Sequence, residues 1–174
     1  MLENLVKDLV NQYAGSAVVN NPSIPNEQNE SAISSITDGI LGGLKQQAAG
    51  AGLNSIIGML TKGGNVDAAT SQNVQGSVID SLMSKLGIGK GVASNIAAQI
   101  VPAALGALSH NTADKSNTNF DLSGILSSLT GGKTNGVDIA GLVDKGFGNG
   151  DGKLDMNDLT SALGNLGNLF GKKA

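Results

Sequence analysis

The sequence predicts an all-α protein: a multihelical bundle of about five helices, followed by two or three short C-terminal helices. Apolar residues recur every three or four positions through most of residues 1–110, as on the buried face of a helix. Breaks rich in glycine or proline separate these segments. No segment alternates apolar and polar residues with the β-branched enrichment that is typical of a strand.

Four amphipathic segments precede the middle of the chain. The first covers the N-terminal residues, the second runs from about Glu27 toward Gln47, and a short third segment ends at Gly63-Gly64. The fourth is stopped by the sequence "GIGKG". The apolar positions that define these four helices are Leu2, Leu5, Val6, Leu9, Val10 and Tyr13; Ile33, Ile36, Ile40 and Leu44; Leu53, Ile56, Ile57 and Leu60; and Val74, Val78, Leu82 and Leu86.

The fifth segment, residues 91–110, contains no charged residue and is long enough for a membrane span. Polar residues and Pro102 interrupt it, however, and polar sequence flanks it. We therefore expect a buried central helix and no membrane span. Its core residues are predicted to be Ile96, Ile100, Leu105 and Leu108.

The sequence divides into a helical body (residues 1–110), a polar linker (111–120) and a C-terminal segment of short helices (121–174) that holds an acidic, glycine-rich loop. Three short units in this last part place a capping side chain before apolar residues. Asp121, Asp138 and either Asp155 or Asn157 are well placed as helix N-caps.

Composition argues against several classes of function. All eleven basic residues are Lys, aromatic residues make up 2% of the chain, and the net charge is −3. Arginine forks and stacking aromatics are the usual means of holding nucleic acid, so we expect no nucleic-acid partner. The N-terminus lacks the apolar stretch of a secretory signal. This predicts a cytoplasmic protein, or one exported by a route without such a signal.

The residues available for catalysis are few. There is no Cys and a single histidine, His110, which is expected to be structural or at the surface. "GKT" at residues 132–134 matches the end of a phosphate-binding loop, but Ser127 stands where the first glycine should be. We expect no enzyme. The alternative is a cytoplasmic enzyme that uses Asp and Lys residues in a cleft between body and tail.

Gly39 and Gly43 form a G-x-x-x-G pattern in the second helix. Small residues at this spacing let another helix approach closely, either in the same chain or in a second copy. The helices carry little charge and many small residues, so we also expect self-association as a homo-oligomer or with an assembly partner. Leucine at position 39 or 43 should then disturb the assembly, or the fold if the contact is internal.

The stretch "NGDGKLDMND" resembles a calcium-binding EF-hand or dockerin-type loop. With Asp151 in the fifth position, Gly152 takes the sixth, which such loops reserve for glycine. The first position is Phe147, which supplies no ligand. Calcium is the expected cofactor, and the alternative is a plain turn with a helix cap. The candidate metal ligands are Asn149, Asp151, Lys153 through its carbonyl, Asp155, Asp158 and, by way of a longer loop, Asp144.

Residues 20–145 resemble the YidB-like bacterial family of unknown function, in the form seen in Bacteroidota. The resemblance is carried by "NPSIPNEQNESAISSITDGILGGLKQQAAGAG", "SLMSKLGIGKGVASNIAAQIVPAALGAL" and "FDLSGILSSLTGGKTNGVDIAGLVDKG". The resemblance rests on the overall residue pattern of these stretches and on the order of the helices. It implies an all-α, multihelical fold and no particular activity, so a structural or interaction role is expected.

Overall fold

A computed structural model of the chain describes residues 2–50, 53–61, 63–114 and 116–134. Within these ranges the protein consists of six α-helices, three short π- or 3-10-helical turns and no strand, which confirms the predicted all-α class. The helices are α1 (Leu2–Ala14), α2 (Asn29–Gly50), α3 (Leu53–Thr61), α4 (Ala68–Leu86), α5 (Lys90–Ala113) and α6 (Leu122–Leu129).

Helices α2 and α4 pack backbone against backbone. A Cβ added to Gly39 would lie 2.6 Å from the Cα of Val78, and one added to Gly43 would lie 2.8 Å from the Cα of Val74. Real Cβ atoms do not come this close to other backbone atoms, so only glycine fits at either position. The G-x-x-x-G pattern is therefore used for packing inside the chain.

The two helices run antiparallel. Gly39 faces Val78, and four residues further along α2 Gly43 faces Val74, which is four residues earlier on α4. An ion pair extends the same register at one end, where Lys85 Nζ lies 2.5 Å from Asp38 Oδ2. Both side chains are about half exposed, so this pair adds little stability by itself.

Helix α5 lies against α1, α3 and α4 and supplies much of the core. The residues predicted to be buried are buried: Ile96, Ile100 and Leu105 are fully enclosed, and Leu108 is 1% exposed. The core around them is aliphatic. α5 shares the interior with α2, whose Ile36, Ile40 and Leu44 are equally buried.

Ser109 fastens the end of α5 to the end of α3. Its side chain is fully buried; the hydroxyl donates to the carbonyl of Met59 and accepts the backbone N–H of Gly64 at 2.8 Å. Gly64 has a φ of +97°, which a side chain would disfavour. One hydroxyl thus bonds two backbone groups near the end of α3.

Helix boundaries follow local chemistry. α4 ends at Gly87, whose φ of +66° suits a left-handed cap, and its N–H bonds the carbonyl of Met83. Asp121 caps α6 as predicted, since its Oδ2 accepts the N–H of Gly124 at 2.7 Å. α5 continues to Ala113, three residues into the predicted linker, because Asn111 and Thr112 bond back to carbonyls one turn earlier.

Helix α6 is the first of the predicted short C-terminal helices. It packs against α1 and α2 through Ile125, Leu126 and Leu129. The remaining short helices, with the proposed caps Asp138 and Asp155 or Asn157, lie outside the described residues.

Replacing Gly39 with alanine should lower the free energy of unfolding, because the new methyl group meets the backbone of Val78. Overpacking of this kind costs about 1–3 kcal/mol. Gly42 on the same helix is the matched control, since a Cβ there meets nothing within 4 Å. Gly42→Ala should raise stability by roughly 0.5–1 kcal/mol through helix propensity. Urea unfolding of both variants measures the difference.

Equal stability of Gly39→Ala and Gly42→Ala would show that α2 and α4 do not touch through their backbones. Gly43→Ala serves as a second reading of the same contact, because its Cβ would meet the backbone of Val74.

Candidate functional site

The acidic loop predicted to bind calcium lies outside the described residues. This applies to all of its proposed ligands: Asp144, Asn149, Asp151, Lys153, Asp155 and Asp158. Among the residues that the structure does describe, no three His, Asp or Glu side chains come together in a way that could hold a metal ion.

A polar cluster joins α2, α3 and α4 at the end opposite to the Lys85–Asp38 pair. Gln47 is 8% exposed, and its amide nitrogen lies 3.3 Å from Thr70 Oγ1 and 3.4 Å from Ser55 Oγ. Its amide oxygen accepts from Asn73 Nδ2 at 3.0 Å. Both contacts of the amide nitrogen are longer than a usual hydrogen bond, so Gln47 has hydrogen-bond partners but the bonds from its nitrogen are weak.

Asp67 anchors this cluster and caps α4. Its Oδ1 accepts the backbone N–H of Thr70 at 2.8 Å, and its Oδ2 accepts the Thr70 hydroxyl at 2.7 Å. The backbone bond from Thr70, followed by the hydroxyl bond, lowers the pKa of the Asp67 carboxyl. The ionised Asp67 carboxylate thus stabilises the first turn of α4, which is a structural role.

Asp114, which directly follows α5, is the other carboxyl whose pKa is lowered among the described residues. Asp114 accepts from the hydroxyl and then the N–H of Ser116, and these bonds lower its pKa, with a smaller contribution from His110. His110 is exposed. Both hydrogen bonds come from a residue two positions along the chain, so they form a local turn and no catalytic pair.

The "GKT" stretch at residues 132–134 forms a turn after α6. Gly131 and Gly132 have φ values of +65° and +87°, and Thr134 is buried with its hydroxyl 3.3 Å from that of Thr130. A phosphate-binding loop follows a strand and opens a helix, whereas this turn follows a helix. Residues 131–134 therefore form a glycine turn.

An open depression in the described part of the chain lies at the start of α2. It has a volume of about 490 Å³ and is lined by side chains of the first turns of α2 and by the end of α4. Its charged residues are Glu27, Glu30 and Lys85, and Lys85 is paired with Asp38. Glu27 and Glu30 have no ion-pair partner among the described residues.

A second depression, of about 330 Å³, is lined by residues that directly precede those of the first in the chain. Residues from the end of the π-helical turn Gly15–Val19 to Asn26 line it, and Asn26 is the neighbour of Glu27. No charged residue lines it. Its lining is mixed, since Asn20, Asn21 and Asn26 stand beside the apolar Val19 and the two prolines. We call the two depressions together the α2-entry groove.

One described helix, α5, is long and apolar enough by length and composition to cross a membrane. In its most apolar stretch 44% of the residues are buried within the protein. The core helix of a bundle passes the same test of length and composition, and the burial of Ile96 and Ile100 places α5 in the interior of this one.

Comparisons with protein-family models, with curated proteins and with solved structures found no match to this chain. The resemblance to the YidB-like family stays a prediction from sequence texture.

Sequence reasoning missed the role of Asp67 and the α2-entry groove. The signal for Asp67 is "NVDAAT", an acid directly before a helical run. The groove has no comparable signal, because it brings residues 19–35 together with Lys85, some fifty positions away.

Asp67→Ala should lower the free energy of unfolding by about 1 kcal/mol at pH 7, the usual cost of losing an N-cap. Asp67→Asn is the control, because asparagine caps helices without titrating. A carboxyl whose pKa is lower in the folded protein adds stability above its unfolded pKa of about 3.9 and loses it as the pH falls through the folded value.

The stability difference between wild type and Asp67→Asn should therefore shrink below about pH 4 and close at lower pH. Urea unfolding measured from pH 7 down to pH 2 gives this profile. A difference that does not change with pH would contradict the role assigned to the Asp67 charge.

Proposed function

We propose that this protein is a non-enzymatic helical structural or interaction protein that self-associates and carries a weak calcium-binding loop in its C-terminal segment. The observation that carries the proposal is that polar side chains of the described residues form hydrogen bonds that stabilise the fold. Asp67, Asp114 and Ser109 each bond to a backbone group of the same chain. The two carboxyls with lowered pKa lie outside the α2-entry groove.

An enzyme needs convergent groups of complementary function in a cleft. The α2-entry groove is open and is lined by serines, two carboxylates and one paired lysine. The alternative, an enzyme with Asp and Lys residues in a cleft between body and tail, draws no support from the groups that the described residues bring together. A role in binding or assembly fits them better.

Self-association draws support from the weakly charged surface, since 14% of the residues are charged against roughly 25% in an average domain. It no longer draws support from Gly39 and Gly43, because α4 of the same chain covers both glycines. Tyr13, Val19 and Met83 are large apolar side chains that remain exposed. Contact between copies would remove them from water.

The calcium proposal rests on the sequence of the loop. Asp151, Asp155 and Asp158 supply three carboxylates, and a first ligand is missing. Fewer charged ligands weaken such a site, so we expect a dissociation constant of roughly 10⁻⁴–10⁻³ M. A site this weak fills outside the cell and stays empty at cytosolic calcium levels. The calcium loop therefore favours export from the cell.

Light scattering and calorimetric titration of the same samples test both parts of the proposal. Light scattering should give a mass above the 17.4 kDa of one chain. Titration with calcium should release or absorb heat with wild type and much less with Asp151→Ala, which removes the central carboxylate. Calcium at ten times the dissociation constant should stabilise the segment by about 1.4 kcal/mol.

A monomer at every concentration would end the assembly proposal. A wild-type protein that shows neither heat nor a melting shift at millimolar calcium would reduce the loop to a turn with a helix cap.

A further inference from the structure

We draw no further inference here: the strongest candidate, the α2-entry groove, holds Glu27 and Glu30 beside a lysine that is already paired with Asp38, and nothing among the described residues shows what covers it.

Discussion

The backbone contact between α2 and α4 sets the geometry on which the other contacts depend. Gly39 and Gly43 allow the two helices to approach until a methyl group on either glycine would collide with the opposing backbone. This approach fixes the antiparallel register of the pair. The register in turn places Lys85 beside Asp38 at one end and Thr70 beside Gln47 at the other. The same register places Lys85 in the lining of the depression at the start of α2, beside Glu27 and Glu30.

Among the residues that the structure describes, no aromatic side chain is fully buried in the core. The chain has no Trp and three Phe, so the core is filled by Ile, Leu and Val and closed by helices that approach through glycine and alanine. Such a core leaves little room for a deep pocket, since close-packed backbones fill the space that a cavity would need.

The helices were predictable because their apolar stripes and glycine breaks are local signals; Ile96 and Ile100 could be placed in the core on spacing alone. Whether Gly39 faces another copy or its own chain was not predictable, because the answer depends on Val78, 39 positions away. The groove escaped prediction for the same reason. The metal ligands around Asp151 rest on sequence alone, because they lie outside the described residues.

If the α2–α4 contact supports the whole bundle, weakening it should weaken every helix together. Native-state hydrogen exchange of wild type and Gly39→Ala measures this helix by helix, because amides that open only on global unfolding report the global free energy. The account predicts that the slowest amides of α5 and α1 lose as much protection as those of α2 and α4. Loss confined to α2 and α4, with α5 unchanged, would contradict it.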